Sequence, residues 1–427
     1  MMFPLFVAAT SEPCSTCTTF YLSEAYAMTT QAKYDTVALF GMPITNVTMA
    51  QAVTRIEEQI LSGGKYQVAT ANLDFARNSL KDPYLQRVIC DCSMVLPDGA
   101  PMLWASSLFG TPLQERVTGA DLIPELARLS ARKGYGIFLL GSSEKSSRTA
   151  AEMLQTRYPG VNIVGRYCPK PVPLHAMDNE RILRRIEEAN PDILLVAFGN
   201  PKQEMWIHRH RDRLRVPVSI GIGGSLDMIS GNLKRAPRWI QKMQMEWAFR
   251  MCQEPRRLVP RYFNDAKALL FHVPVSYVAN RLQPSERRHG KLKVDIHGAV
   301  RVIATPARLA GDVSDWLARE ARLAAAARQT LVVDMSQTVR AEADGLGGLL
   351  EARRVLLAAD HLIWLVGMSI PVRRLLQFSA MADLFRIAAT TADAIKLTRL
   401  AYAVKCETKP LRAVDGTLIA NQIARAS

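Results

Sequence analysis

The sequence predicts an α/β protein: a Rossmann-like, mostly parallel sheet domain with a basic helical appendage, followed by a smaller α/β domain. Short apolar runs of strand length alternate with amphipathic helical stretches over residues 36–230, which is the pattern of a doubly wound parallel sheet. After a polar stretch at 283–290, a second and shorter alternation begins near residue 292. A chain of 427 residues is long enough for both domains.

Periodicity places the elements of the first domain. A strand and turn begin at residue 36, and further strands are predicted at 66–69, 93–96, 136–140 and 161–164. Helices are predicted at 48–61, 122–133, 144–157 and 179–189, with a short one through Leu85 and Ile89. Residues 192–231 then give a buried strand, a Gly-Asn-Pro-Lys-Gln-Glu loop that opens a helix, a second strand and a glycine-rich turn. Both loops are expected at the carboxyl edge of the sheet, where α/β proteins bind ligands.

The remaining segments follow from composition. We expect a disordered leader at residues 1–35, with Met28 a candidate initiator, because this stretch lacks both a period and the basic start of a signal peptide. The first domain is expected at 36–231, the appendage at 232–282, a linker at 283–290, the second domain at 291–405 and a tail at 406–427. In the second domain, strands are predicted at 292–296, 299–304, 330–335 and 361–366, and helices at 312–327, 347–358 and further on. No apolar run approaches the ~18 to 20 residues of a membrane-spanning helix.

The positive charge of the chain is concentrated in one segment. The formal net charge is +15, and residues 232–291 hold 13 Lys or Arg against 4 Asp or Glu, a net of +9. Several aromatic side chains lie among these basic residues. The combination suits an anionic membrane surface or a nucleic acid.

The seven cysteines are widely spaced and odd in number, so they do not predict a secreted disulfide framework, and a reducing cytoplasm is the simplest compartment. The Cys14/Cys17 and Cys90/Cys92 pairs lack a second pair at metal-ligand spacing, and we expect no metal site.

Polar side chains collect at the predicted strand ends. They are Thr70, Asn72, Asp98, Arg116, Asn200, Lys202, Gln203, Glu204 and Asp227, and the turn at Gly141 is a candidate phosphate site. A carboxylate, a cation and amides around a glycine loop are what a sugar-nucleotide transfer needs: a base for the acceptor hydroxyl, and donors for the leaving diphosphate. Taken singly, each residue also fits a helix cap or a turn.

Seven motifs together resemble the WecG/TagA/CpsF glycosyltransferase family over about residues 36–273. They are TANLDFA, LPDGAP, RVTGADL, FLLGSSEK, AFGNPKQEMWI, GIGGSLDMISGNLKRAPRW and EWAFRMCQEPRRLVPRY. The resemblance implies an inverting transfer of a hexose derivative, of the N-acetylmannosamine, uronic acid or glucose type, from a UDP-sugar to a polyprenyl-diphosphate-linked saccharide. It also implies that neither a metal nor another cofactor is needed, with UDP-sugar as donor substrate.

The resemblance assigns roles to individual residues. Asp98 matches the proposed general base, Thr70 and Asn72 the pocket residues, Arg116 the diphosphate-binding arginine and Gln203 the glutamine of the PKQE loop. The family's basic, aromatic appendage lies at the membrane and over the active site. The residues that match it are Arg235, Arg238, Trp239, Trp247, Arg250, Arg256, Arg257, Arg261 and Tyr262.

The second domain resembles a STAS (anti-sigma-antagonist) domain over residues 292–401, and we call it the STAS-like domain. Where regulatory members have Asp-Ser-Ser-Gly, this chain has Glu342, Ala343, Asp344 and Gly345. Ala343 stands at the phosphorylatable position, so phosphorylation there is not available. Asp344 is expected to cap the following helix, and a permanent negative charge is the alternative.

These inferences predict an enzyme of cell-surface polysaccharide biosynthesis that is peripheral on the inner face of the cytoplasmic membrane. The expected partners are a UDP-sugar, a polyprenyl-diphosphate-linked acceptor, the membrane surface, a protein partner of the STAS-like domain and a second copy of the chain, but no nucleic acid. A nucleotide-sugar dehydrogenase or epimerase is disfavoured because no GxGxxG fingerprint follows the first strand. The non-enzymatic alternative is a STAS-type regulatory scaffold of polysaccharide synthesis.

Overall fold

In the computed structural model, the described residues are 35–237, 239–240, 243, 245–256, 258–265, 267 and 292–407, with side chains as far as 401. Residues 1–34 of the predicted leader, the predicted linker and residues 408–427 of the predicted tail lie outside them. The described residues belong to one compact unit.

The first domain and the appendage contain eight described strands and ten helices whose bounds are described, and residues 255–256 and 258–265 of the appendage are also helical. The strands are β1 (Thr36–Leu39), β2 (Met42–Thr45), β3 (Tyr66–Ala71), β4 (Met94–Pro97), β5 (Ile137–Gly141), β6 (Ile163–Tyr167), β7 (Ile193–Ala197) and β8 (Val218–Gly221). The helices are α1 (Met49–Leu61), α2 (Leu73–Lys81), α3 (Pro83–Cys90), α4 (Ala100–Leu108), α5 (Gly119–Lys133), α6 (Glu144–Arg157), α7 (Asn179–Ala189), α8 (Lys202–His210), α9 (Ser225–Ile229) and α10 (Glu246–Gln253). A 3₁₀ turn covers Leu174–Ala176.

The central sheet has six parallel strands in the order β4-β3-β8-β7-β5-β6. The predicted fold class is therefore confirmed. The loops after β3, β4, β5, β7 and β8 all lie at the carboxyl edge of this sheet, because parallel strands end on the same side. β1 and β2 form a separate antiparallel hairpin.

Side-chain caps fix where several helices begin. Thr48 and Gln51 make a capping box at α1, and Asn72 accepts hydrogen bonds from the first turn of α2. The single short helix predicted through Leu85 is in fact preceded by a separate helix. Asp82 caps α3 and Pro83 occupies its first turn, so α2 has to end before it.

The STAS-like domain has a mixed five-stranded sheet in the order β15-β14-β12-β10-β9. Its strands are β9 (Lys293–His297), β10 (Val300–Ala304), β12 (Thr330–Asp334), β14 (Ile363–Val366) and β15 (Arg386–Ala388), and β11 (Arg308–Leu309) pairs with β13 (Arg340–Ala341) beside it. Its helices are α11 (Asp312–Ala326), α12 (Ala343–Ala358), α13 (Ile370–Phe378) and α14 (Thr391–Glu407), with a 3₁₀ turn at Ala382–Leu384. Only the β9–β10 pair is antiparallel.

The hairpin β1–β2 packs on α12, so the two domains share a buried interface. Ala343 is buried in one core with Val37 and Leu39 of β1. The Arg353 guanidinium pairs with the Asp91 carboxylate at 2.7 Å, and both side chains are mostly buried. Ala343 therefore faces this chain's own first domain.

Asp344 does not act as the N-cap of α12, which is Glu342, and the capping prediction is wrong in that respect. The Asp344 carboxylate is buried and accepts hydrogen bonds from the backbone N–H groups of Gly311, at 2.6 Å, and Gly345, at 2.9 Å. It fixes the loop before α11 rather than presenting a charge to a partner.

Within the described residues, no helix combines the length and the apolarity that crossing a bilayer requires.

Candidate active site

Asp98 follows β4 directly and lies at the carboxyl edge of the central sheet. Its backbone N–H donates to the Ala71 carbonyl at 2.8 Å, and Gly99, at φ +120°, turns the chain into α4. Among the described residues, no side chain makes a hydrogen bond or an ion pair with the Asp98 carboxylate. Burial raises its pKa to about 6, against the lowering effect of Arg250 and Arg116. Such a carboxylate is ionised at pH 7 and is a stronger base than an ordinary exposed aspartate.

An ion-pair network beside Asp98 joins the first domain to the appendage. Arg116 Nη1 lies 3.0 Å from Glu246 Oε2, and Arg116 Nη2 lies 3.9 Å from Asp121 Oδ2. Arg235 pairs with Asp121 and has its Nε 3.6 Å from Glu246 Oε1. Glu246 is only 8% exposed. Two arginines therefore hold one buried carboxylate at the base of α10, and α10 is fixed close to the general-base candidate.

A Glu246→Gln variant is expected to lower the pKa of Asp98 and to loosen α10. The negative charge of Glu246 raises the pKa of Asp98, so its removal moves the acid limb of the pH–rate profile to lower pH. The acid limb is measured from kcat/KM against pH. A Glu58→Gln variant on the exposed face of α1 removes the same charge elsewhere and is the matched control. An unmoved acid limb in Glu246→Gln would show that the two carboxylates are not coupled.

A second cluster attaches the appendage to α2. Arg261 Nη2 lies 3.0 Å from Asp74 Oδ2, and Arg77 Nη1 lies 2.9 Å from Asp265 Oδ1. Arg77 also pairs with Asp74. Burial raises the pKa of Asp265 to about 6, while Arg77 lowers it. Since α2 starts at the pocket residue Asn72, this cluster places the appendage against the helix that borders the site.

Aromatic side chains of the appendage also lie near Asp98. Trp247 and Tyr262 make an edge-to-face pair with ring centroids 6.2 Å apart. Burial raises the pKa of the Tyr262 hydroxyl, and the Asp98 carboxylate adds to that effect. Trp239 is 64% exposed and Arg256 is exposed, whereas Arg238 and Arg257 lie outside the described residues.

Glu246 and Asp265 are the acidic residues of the appendage in these clusters, and the sequence analysis did not single them out. They are two of the four acidic residues in a segment with 13 basic ones. A single carboxylate among many basic residues is the sequence signal that points to them, because it indicates an ion pair with a residue outside its own segment.

The predicted pocket residues Thr70 and Asn72 both support the backbone. The Thr70 hydroxyl donates to the Gly221 carbonyl at 2.9 Å, and the Asn72 side-chain oxygen accepts from the first turn of α2. Asn200 Oδ1 accepts from Asn78 Nδ2 at 3.1 Å, which links the β7–α8 loop to α2. The Asn200 amide nitrogen is buried, with no hydrogen-bond partner among the described residues. That nitrogen is an unsatisfied hydrogen-bond donor at this edge of the sheet.

Gln203 joins the two loops of the stretch 192–231. Its side-chain oxygen accepts from the Gly199 N–H at 3.1 Å and from the Gly223 N–H at 3.0 Å, and its nitrogen donates to Glu204 Oε1 at 2.7 Å. Gln203 is 1% exposed. Both atoms of its amide are engaged with the protein, so its place in the structure is that of a positioning residue.

The side chains of Lys202 and Glu204, the neighbours of Gln203, do not point into one common site. The Lys202 ammonium donates to the Val172 carbonyl and lies 5.4 Å from the Phe198 ring centroid. Glu204 is buried under the sheet, and burial raises its pKa to about 8. Its carboxyl is therefore mostly protonated at pH 7.

The turn after β5 contacts the turn after β8. Ser142 Oγ donates to Asp227 Oδ1 at 3.1 Å, so Gly141 and Asp227 belong to one part of the edge. Gly141 has φ +98°, and a Cβ there would lie 2.8 Å from the Phe198 ring. Only glycine fits this position without strain.

The structure thus brings Asp98, Arg116, Arg235 and Arg250 together, and it ties Asn200, Gln203 and Asp227 to neighbouring loops of the same edge. A carboxylate base next to several arginines suits the removal of a hydroxyl proton beside an anionic leaving group.

Comparison with known proteins shows the family to which this chain belongs. The family model described as "Glycosyl transferase WecG/TagA/CpsF family" matches residues 37–283. The chain belongs to that family. This member matches the N-acetylglucosaminyldiphosphoundecaprenol N-acetyl-beta-D-mannosaminyltransferase of Bacillus subtilis strain 168 with 31% identity over 233 residues, which is 53% of this chain and 89% of the relative. The transferase of the same description from Staphylococcus aureus strain MRSA252 is 29% identical over 235 residues, which is 54% of this chain and 91% of the relative.

The STAS-like domain of this family member is similar to solved structures of another kind. The anti-sigma factor antagonist SpoIIAA, in its unphosphorylated form, matches 26% of this chain and 96% of its own, with 21% identity and a TM-score of 0.24. The phosphorylated form matches 25% of this chain with 20% identity and a TM-score of 0.23.

Proposed function

We propose that the protein is an inverting glycosyltransferase that moves a hexose derivative from a UDP-sugar to a polyprenyl-diphosphate-linked saccharide. The observation that supports it best is the Asp98 carboxylate, free of side-chain partners among the described residues and set beside Arg116 and Arg250. The relatives named above transfer N-acetylmannosamine to N-acetylglucosaminyl-diphospho-undecaprenol. We extend that acceptor class, and N-acetylmannosamine as the first donor to test, to this chain.

The reaction is a single displacement. Asp98 accepts the proton of an acceptor hydroxyl while that oxygen forms a bond to the anomeric carbon of the donor. The bond from the anomeric carbon to the diphosphate oxygen breaks at the same time, and UDP leaves with the bonding electrons. One displacement inverts the anomeric centre. The proton then passes from Asp98 to solvent, because a pKa of about 6 still lies below neutral pH.

The arginines take the place that a metal fills in other transferases. Arg116 and Arg250 put positive charge next to Asp98, and the start of α8 adds backbone N–H groups at the same sheet edge. Negative charge that develops on the leaving diphosphate is stabilised by such fixed donors. On this proposal Glu246 yields Arg116 to the diphosphate when donor binds, and the reaction is independent of divalent metal.

The appendage supplies contact with the inner face of the membrane. Trp239, Met243 and Phe263 are 64%, 62% and 61% exposed, in the segment that carries the net charge of +9. Exposed aromatic and apolar side chains among arginines favour the interface of an anionic bilayer. A peripheral location brings the site to the diphosphate of a lipid-linked acceptor.

The test is a transfer assay with purified full-length protein, a short-chain polyprenyl-diphosphate N-acetylglucosamine acceptor and a set of UDP-sugars. The donors are UDP-N-acetylmannosamine, its uronic acid and UDP-glucose. We expect a lipid-linked disaccharide from at least one donor, formed at the same rate in EDTA. Loss of product in EDTA, restored by Mg²⁺ or Mn²⁺, would overturn metal independence.

The regulatory-scaffold alternative predicts a different outcome. A folded protein that forms no product and is not stabilised against thermal unfolding by any UDP-sugar would be a scaffold rather than an enzyme. A true donor stabilises the folded state by mass action, so melting-temperature shifts separate a missing acceptor from a missing activity.

A further inference from the structure

The strand β9 is an open edge of the STAS-like sheet. Its one strand neighbour among the described residues is β10, so the backbone groups along its outer side pair with no described strand. Leu292, Val294 and Ile296 are 46%, 36% and 56% exposed. An unpaired edge that also exposes apolar side chains is a template for another strand.

The three apolar side chains lie on one face, because alternate residues of a strand share a face. Val294 is paired with Ile303 across the β9–β10 ladder, and Ile303 is buried in the core beneath α11 and α12. The apolar row therefore continues the face of the sheet that α11 and α12 cover. Lys293, Asp295 and His297 lie on the opposite face.

The helix α11 covers β10 but leaves β9 exposed. Arg301, which is paired with Ile296 across the ladder, forms a 2.8 Å ion pair with Glu320 of α11. Glu320 is buried, whereas Ile296 is more than half exposed. The apolar row thus extends past the edge of its own helical layer, and a further strand beside β9 would cover it.

We propose that β9 pairs antiparallel with β9 of a second copy of this chain, in the register centred on Val294. In that register Lys293 lies opposite Asp295 of the second copy, and Asp295 lies opposite Lys293 of the second copy. Leu292 lies opposite Ile296 of the second copy, and Val294 meets its own counterpart. Each cross-strand pair within residues 292–296 is then matched in charge or in apolarity.

Neighbouring registers are disfavoured by the same side chains. Centring on Asp295 places two aspartates opposite each other, and centring on Lys293 places two lysines opposite each other. A shift of one strand by a single residue places the apolar face of one strand beside the charged face of the other. The Lys293–Asp295 ion pair within each strand, at 2.8 Å, shows that the two charges already share one face.

The result is a two-fold dimer with a continuous ten-stranded sheet, and the proposal does not depend on the chemistry at Asp98. Such a dimer carries two appendages. Once one appendage binds a vesicle, the effective concentration of the other at that membrane surface is raised.

Sedimentation velocity of the full-length protein over a range of concentrations tests the pairing. We expect the mass to rise from 47.4 kDa toward twice that value. Lys293→Asp and Asp295→Lys should each weaken self-association by roughly tenfold, because each places two like-charged pairs across the two-fold axis.

Mixing the two variants provides the decisive control. An equimolar mixture of Lys293→Asp and Asp295→Lys restores opposite charges at both contacts, and we expect a heterodimer to form. Both positions are exposed or partly exposed, so unchanged circular dichroism and melting temperatures are expected of each variant. A monomer at all concentrations, a dimer that neither substitution weakens, or a mixture that stays monomeric would overturn the proposal.

Discussion

Replacing Asp98 by Asn is expected to reduce sugar transfer by roughly 10² to 10⁴-fold, which is the contribution of a positioned general base. Asn keeps the size and shape of the side chain but does not accept the hydroxyl proton. Burial opposes the charge of Asp98, so a neutral side chain should leave the folded protein at least as stable as before. Single-turnover rates with saturating acceptor measure the effect, and the shift of melting temperature by donor shows that binding survives.

An Asp212→Asn variant is the matched control, because it makes the same substitution at an exposed position beyond the far end of α8. Its rate should equal that of the unsubstituted protein. Full transfer activity in Asp98→Asn, on the same acceptor, would remove Asp98 from the mechanism.

The pH dependence of the unsubstituted protein gives the same prediction a second readout. Below its pKa of about 6 the Asp98 carboxyl is protonated and accepts no further proton. We expect kcat/KM to fall tenfold per pH unit below about pH 6 and to level off above it. In Asp98→Asn that acid limb should be absent from the residual rate.

Local sequence signals were sufficient where a residue acts close to its neighbours in the chain. The apolar strand that stops at a Pro-Asp-Gly turn predicts the position of Asp98 at the carboxyl edge of the sheet, whereas its role as base is implied only by the family resemblance. The helices α6 and α7 begin and end where their periodicity predicts. Glu246 could not be interpreted this way, because its partner Arg116 is 130 residues away. Gln203 was expected at the ligand, yet its amide holds two loops together, which depends on how β7 and β8 are placed side by side.

The helix α12 shows how tertiary contacts override propensity. The sequence predicts it from residue 347, but it begins at Ala343 and includes Gly345, Gly347 and Gly348. Glycine lowers helix propensity, so these residues indicate a loop when the segment is considered alone. In the fold they permit close approach: a Cβ on Gly345 would collide with the Leu309 carbonyl and one on Gly348 with Ser314.

A Gly347→Ala variant is expected to lose roughly 1 to 3 kcal/mol of unfolding free energy through overpacking, although Ala alone would favour the helix by about 1 kcal/mol. A Cβ at Gly347 would lie inside contact distance of the Thr36 carbonyl oxygen of β1. Both groups are backbone, so the hairpin β1–β2 or α12 has to move as a unit. Chemical denaturation measures the loss, and faster hydrogen exchange at the amides of β1 and β2 locates it.

A Gly348→Ala variant separates this effect from damage inside the STAS-like domain, since its Cβ would meet Ser314 of α11 instead. It should destabilise that domain without a direct effect on the hairpin.

Movement of the hairpin in Gly347→Ala, in contrast, should reach the active site, because Leu39 of β1 is buried in one core with Phe75 of α2 and Met102 of α4. These helices begin beside Asn72 and Asp98, so transfer activity should fall with hairpin protection in Gly347→Ala. Unchanged stability in Gly347→Ala would mean that the two domains do not meet at α12. Unchanged activity in a destabilised variant would mean that the STAS-like domain stabilises the fold without positioning the active site.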